Sequence, residues 1–231
     1  MKKILLLTFI LMLGFTKAQS FDHSAWSTLL KENVSTTGKV NYRAIKSNPY
    51  PLHSYLEKLS NAQPNRTWSK AEVLAFYINA YNAFTIKLII DNYPIKSIKS
   101  IKNPWRQKFI TLDGKALSLN DIEHNILRKL NEPRIHFAIN CASISCPKLH
   151  NSAFTSTHLD EQLEMTTKAF INSSENTITA TKIQISKLFS WFRSDFTTQS
   201  TLVDFINSYT DVTIDKNTKI TFKDYNWNLN E

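Results

Sequence analysis

The stretch Ser69–Asp91, SKAEVLAFYINAYNAFTIKLIID, decides the fold. Ser69 followed three residues later by Glu72 is a capping box, in which hydroxyl and carboxylate each satisfy a free amide at a helix start. From Ala71 onward the segment is apolar on nearly every side, the pattern of a helix buried all round. Asn92, Tyr93 and Pro94 then stop it, so the spacing predicts a central helix from Ala71 to about Asp91. Asn79 and Asn82 interrupt its apolar surface. Buried amides need partners, so these two either bond backbone groups in the core or face a cleft.

Working outward, the apolar periodicity predicts helices from Phe21 to about Asn33 and from Leu52 to Leu59. Lys108–Leu112 alternates like a strand, Asp113 and Gly114 form a hairpin turn signal, and Lys115–Leu117 returns. Ser118–Asp121 caps a further helix running to about Leu130. Arg134–Asn140 is expected to be a central strand. Thr157–Ile171 and Thr201–Tyr209 are expected helices, Thr177–Ile185 holds two short strands, and Lys219–Phe222 is extended. Helices and hairpin strands mix without regular βαβ alternation, which predicts an α+β fold. The expected architecture is a single domain, residues 19–231, with a buried central helix packed on a small, mostly antiparallel sheet. No repeat, low-complexity run or long linker divides it, and a chain of that size buries roughly 70% of its unfolded surface.

Residues 1–18 are set apart as a secretory signal peptide. Lys2 and Lys3 give a positive n-region, Ile4–Phe15 an apolar h-region, and Thr16 and Ala18 the small residues that signal peptidase inspects. The h-region is too short to span a bilayer core, and no later stretch approaches roughly 20 uninterrupted apolar residues. The expectation is cleavage near Ala18 and an exported, periplasmic or extracellular chain with no integral membrane segment after processing.

Composition excludes several chemistries. The 231 residues contain only three glycines, Gly14, Gly38 and Gly114, so no glycine-rich phosphate loop or nucleophile elbow of the usual kind can form. No cofactor is expected. The full chain carries a net charge of +9; without the three lysines of the first 18 residues, 25 basic side chains face 19 acids, a net +6. The densest basic stretch, Ile95–Lys102, sets isoleucines three residues apart with lysines beside them, as in a short helical turn with one buried and one solvated face. It lacks a reading module for nucleic acid, which is not an expected partner.

The remaining chemistry lies in Arg134–His150, RIHFAINCASISCPKLH, which holds both cysteines of the chain, Cys141 and Cys146. A thiol nucleophile is one reading: Cys141 ends the expected strand and enters a polar turn whose amides would hold an oxyanion. A disulfide is another, since export compartments are oxidising. A metal site using His136, Cys141, Cys146 and His150 is a third, but spacings of five, five and four do not match structural zinc knuckles, and no metal is expected. In an extended strand His136 and Cys141 point to opposite faces, so a direct pair needs a bend near Asn140. His124, with Glu123 beside it, is the rival base. Trp191 and Trp227 are expected to be core aromatics.

Several motifs together resemble the domain of unknown function 547 family. They are Ala75–Ala83 (AFYINAYNA, with Tyr77 where a Trp is usual), Leu117–His124 (LSLNDIEH), Ile126–Arg128, and Arg134–Ala138 with Cys141–Ser143 and Ser145–Pro147. Ser186–Trp191 with Asp195 and Phe196, and Tyr225–Asn230 (YNWNLN), continue the likeness from Phe21 to Asn230. The resemblance marks Asn79, Asn82, Glu123, His124, His136, Cys141, Cys146 and Asp195 as motif positions. It implies a site where the central helix meets the cysteine segment, and by analogy a thiol-peptidase-like or transglutaminase-like arrangement.

Two functions follow as expectations. One is a cysteine-dependent hydrolase or acyltransferase acting on amide or ester bonds, with Cys141 as nucleophile, His136 or His124 as proton shuttle, and Glu123 or Asn79 orienting the imidazole. The other is a non-enzymatic secreted binding module with a Cys141–Cys146 disulfide. The ligand in either case would be a peptide, a glycan or a small molecule.

Overall fold

A computed structural model describes residues 21–231, so the segment read as a signal peptide lies outside the described residues. Helix α4, Lys70–Asn92, forms where the capping box predicts: Ser69 Oγ accepts from the Glu72 amide and the Glu72 carboxylate from the Ser69 amide. An 18-residue window of α4 has mean hydropathy 1.5, as high as a membrane span, yet 83% of that window is buried inside the molecule. Its apolarity on all sides is what a core helix surrounded by protein requires. Around it stand α1 (Ser24–Asn33), α2 (Tyr42–Ser47) and α3 (Tyr50–Asn61), followed by the hairpin β1 (Ile110–Leu112) and β2 (Lys115–Leu117) with Gly114 at φ +68° in its turn.

The second half adds α5 (Leu159–Ile171), β3 (Thr177–Ile178), β4 (Ile183–Ile185), α6 (Leu188–Trp191), α7 (Arg193–Phe196), α8 (Leu202–Asn207) and β5 (Ile220–Phe222). β3 and β4 pair antiparallel, and β5 joins β4 in parallel. With 46% helix and 8% strand, the fold is α+β.

Two expectations are corrected. The helix expected from Ser118 does start on a capping box, but runs as a π-helical turn over Asp121–Ile126 and a 3₁₀ turn over Leu127–Leu130. The wider π turn changes which side chains face inward, and Glu123 is buried by it.

The expected strand Arg134–Asn140 does not form either. Pro133–Phe137 is a 3₁₀ turn, with Pro133 in its first turn and the Glu132 carboxylate accepting from the Arg134 amide. Ile135 and Ile139 are four apart, a helical rather than an alternating spacing, and the Ile139 amide bonds the Ile135 carbonyl. The strand-parity argument about His136 and Cys141 therefore does not apply.

The 3₁₀ turn also joins the two hydrophobic clusters. Ile135 belongs to the core around α4, and Phe137 to a second cluster with Phe170, Ile183, Phe189, Phe196 and Ile206. His136, between them in sequence, sits on the seam.

Candidate functional site

The thiol turn is held by side chains far away in sequence. From α4, the Asn82 amide donates to the Ala138 carbonyl (3.0 Å) and its oxygen accepts from the Asn140 amide (2.8 Å). Asn140 in turn accepts from the Ala142 amide and donates to the Pro147 carbonyl, closing the turn end to end. Ala142 is left at φ +57°, a region strained for any residue with a Cβ. The C-terminal segment clasps the other side: the Ile144 and Ser145 amides donate to the Asn228 and Asn226 carbonyls, and the Asn226 amide to Ser145 Oγ.

These bonds revise the oxyanion expectation. The amides of Cys141, Ala142, Ile144, Ser145 and Cys146 all have partners inside the protein, so those five are not free to receive a developing oxyanion. The donors nearest the sulfur are side chains. Cys141 Sγ lies 3.1 Å from Ser143 Oγ, 3.2 Å from the Tyr225 hydroxyl and 2.8 Å from Cys146 Sγ. Burial pushes the Cys141 thiol up, but hydrogen bonds from Cys146, Ser143 and Tyr225 outweigh it and bring it below the ordinary thiol value. Cys146 goes the other way, raised by burial and by the neighbouring Cys141. Both are free thiols.

A carboxylate–imidazole pair adjoins the same cleft through His136. His136, 1% exposed, holds Asp195 Oδ2 through Nε2 at 2.8 Å, while Arg128 grips both carboxylate oxygens at 2.6 Å. Burial raises the Asp195 carboxyl, but the Arg128 and His136 hydrogen bonds win and hold it well below the usual carboxylate range. Burial lowers His136 against the opposing pull of Asp195, so at neutral pH the imidazole is uncharged. An ionised Asp195 can only accept, so Nε2 carries the proton and Nδ1 the lone pair. That Nδ1 is buried without a hydrogen-bond partner. Phe192, stacked on the ring at 3.9 Å between centroids, fixes its plane.

The sequence candidates sort accordingly. Cys141, His136, His124 and Glu123 line one cleft of about 600 Å³, although His136 and Cys141 share no hydrogen bond. Asn79 does not join them: it clasps the Phe154 backbone, donating to the carbonyl and accepting from the amide, a structural role. His124 is the weaker base, because its Nδ1 lone pair accepts from Arg128 and both burial and that cation lower its basicity. The metal reading is not assembled. His150 Nδ1 is engaged by Ser152, and among the described residues no three His, Cys, Asp or Glu side chains come together as a ligand set. Trp191 and Trp227, expected in the core, are cleft walls instead, with Trp191 47% exposed. With Tyr225 and Trp105 they form a contiguous aromatic surface, and Lys99 lies over Trp227. Asp195 and Tyr225 carry no local signal of their roles, since their partners are 59 and 84 residues away.

Glu123 gives the first prediction. Burial drives its carboxyl up to about 7, against the weaker pull of the Tyr81 hydroxyl at 3.3 Å and the Arg128 charge. The folded state thus keeps a proton that the unfolded chain, with an ordinary carboxyl, has released. This contribution to stability is fully present below about pH 4.5 and is lost as the pH rises through about 7, to the extent of ~3 kcal/mol. Glu123→Gln removes the titration, so the variant should gain on the parent between pH 5 and pH 8 in denaturant unfolding. Parallel pH dependences of the two proteins would overturn the assignment.

Fold and site together define an α+β protein with a thiol and a carboxylate-held imidazole on one aromatic-walled cleft. The chain belongs to the family described as Protein of unknown function, DUF547, whose model matches residues 65–171. That span holds Glu123, His124, His136, Cys141 and Cys146; Asp195, Trp191, Tyr225 and Trp227 come from beyond it. No curated protein and no solved structure matches the chain.

Proposed function

We propose that this chain is an exported cysteine-dependent hydrolase or acyltransferase, with Cys141 as nucleophile, His136 as base and Asp195 as the group that orients it. The observation that carries this reading is that His136, whose lone-pair-bearing Nδ1 is buried without a hydrogen-bond partner, lines the same cleft as an acidified Cys141. A neutral imidazole held by a carboxylate beside a thiol is the arrangement that acyl transfer uses on unrelated folds. Export rests on the pattern of residues 1–18 alone.

In the reaction the Cys141 thiolate attacks the carbonyl carbon of an amide or ester, forming a C–S bond. The thiol proton passes through His136 Nδ1 to the leaving nitrogen or oxygen as its bond to carbon breaks. Water then cleaves the thioester, with His136 taking a water proton and returning it to the sulfur. The Tyr225 hydroxyl serves as the donor to the oxyanion, since burial and the neighbouring thiols raise its pKa and keep it protonated. Glu123 and the aromatic walls supply a partly charged, largely apolar cleft suited to a peptide, glycan or small molecule.

The test separates thiol acidity from turnover. With p-nitrophenyl acetate as substrate, His136→Ala should lower turnover about 100-fold. It should leave the pH profile of Cys141 alkylation by iodoacetamide in place, because the acidifying donors are Cys146, Ser143 and Tyr225. Tyr225→Phe should move that alkylation profile to higher pH. Ester turnover that survives Cys141→Ala would overturn the proposal, and a static disulfide in the isolated protein would favour the binding-module reading.

A further inference from the structure

We propose that Cys141 and Cys146 form a reversible dithiol–disulfide couple, giving the chain thiol–disulfide exchange activity with Cys141 as the attacking sulfur and Cys146 as the resolving one. The inference rests on the geometry of the sulfur pair and is independent of acyl transfer, although both use Cys141.

The two sulfurs lie 2.8 Å apart on the same cleft, so forming an S–S bond of about 2.05 Å needs a contraction of less than ~1 Å. The backbone between them is already shaped for it. Ala142 is in the left-handed region, the Cys146 amide bonds the Ser143 carbonyl, and Asn140 ties the start of the turn to Pro147. The Cys141 amide points at Cys146 Sγ at 2.9 Å, a donor for the charge that sulfur carries when it attacks or leaves.

The sulfurs are also unequal in the way exchange requires. Cys141 is half-buried at the cleft, whereas Cys146, lining the same cleft, is only 8% exposed. An incoming disulfide therefore meets Cys141 first. The acidified thiol attacks and the buried one, held protonated, waits for the mixed disulfide.

The steps balance without a further reagent. The Cys141 thiolate attacks one sulfur of a disulfide R–S–S–R, forming Cys141–S–S–R and releasing RS⁻. Cys146 then attacks Cys141 Sγ, the bond to the R-bearing sulfur breaks, and the Cys146 proton leaves with the second thiol. The disulfide substrate is reduced by two electrons and the protein dithiol is oxidised by two; a dithiol reductant reverses both. The aromatic walls, with Lys99 and Arg106 on the cleft, suit a disulfide bearing carboxylates.

Glutathione disulfide is the probe. The reduced full-length protein, mixed with it at neutral pH and quenched with acid, should lose two hydrogens in intact mass. Peptide mapping should place the new bond between Cys141 and Cys146. Cys146→Ser should instead accumulate a stable glutathione adduct on Cys141, and Cys141→Ser should form neither product at a comparable rate. A wild-type protein that stops at the mixed disulfide, or that leaves both thiols free, overturns the proposal. Ester turnover is read on the reduced protein before glutathione disulfide is added. Its absence there, with the intramolecular disulfide formed afterwards, would count against acyl transfer only, and its presence without later disulfide formation against exchange only.

Discussion

Asp195→Asn should lower ester turnover at Cys141 by ~10²–10⁴-fold and destabilise the fold by about 2 kcal/mol at neutral pH. The carboxylate accepts at four points: Arg128 Nε and His136 Nε2 on Oδ2, and Arg128 Nη2 and Ser194 Oγ on Oδ1. An amide has one accepting oxygen and two N–H donors. With its oxygen toward His136, its nitrogen opposes Arg128 Nη2, donor against donor. With the amide turned over, its nitrogen faces Arg128 Nε and His136 Nε2, and the imidazole must accept there. The proton then moves to Nδ1, and the lone pair needed as base is gone. Because Asp195 is held below the usual carboxylate range, its stabilising contribution exists above the ordinary carboxyl value and is lost as the pH falls through its folded one. The stability difference between parent and variant should therefore shrink toward strongly acid pH. Denaturant unfolding at pH 7 and pH 3 with p-nitrophenyl acetate kinetics measures both effects; a variant with unchanged turnover would remove Asp195 from the site.

Asn82→Leu should be strongly destabilising, costing about 2–4 kcal/mol and slowing Cys141 alkylation at neutral pH. Asn82 is 2% exposed, and its two bonds satisfy the Ala138 carbonyl and the Asn140 amide, both in the irregular stretch before Cys141. Leucine fills the space but leaves that donor and that acceptor without partners in the core, each at roughly 1–3 kcal/mol. The turn is also released from α4, so the hydrogen bonds that acidify Cys141 lose their register. Asn79→Leu serves as the control. It orphans an equivalent pair at Phe154, so it should cost similar stability while leaving alkylation of Cys141 unchanged. Equal loss of thiol reactivity in both variants would mean that Asn82 acts through global stability alone.

The same contrast shows how far the sequence carried. The capping box at Ser69 and Glu72, the long apolar run and the Asp113–Gly114 turn are local signals, and α4 and the hairpin formed where they predicted. The thiols, His136 and Glu123 were also legible, because reactive residue types stood in one short segment or in a motif. Arg134–Asn140 reads as a strand in sequence because a run of apolar residues is ambiguous between periods, and Pro133 with the Glu132 cap makes its start a turn. Asn79 takes the first of its two expected places, bonding backbone in the core; an amide on a buried helix looks the same in sequence whether it serves a cleft or a backbone.

By itself the sequence determined the α+β class, the central helix and the segment that carries the chemistry, since each depends on residues within a few turns of one another. The tertiary structure alone decided which groups act together. Asp195 reaches His136 across 59 positions, Tyr225 reaches Cys141 across 84, and Asn82 fixes the Asn140 amide from 58 away. Such pairs come together only when the whole chain packs around α4 and the turn that follows Pro133, and no local periodicity encodes that packing. Cys141 and Cys146, five apart, were neighbours in the sequence from the start; the fold made one acidic and facing the cleft, and the other buried and protonated.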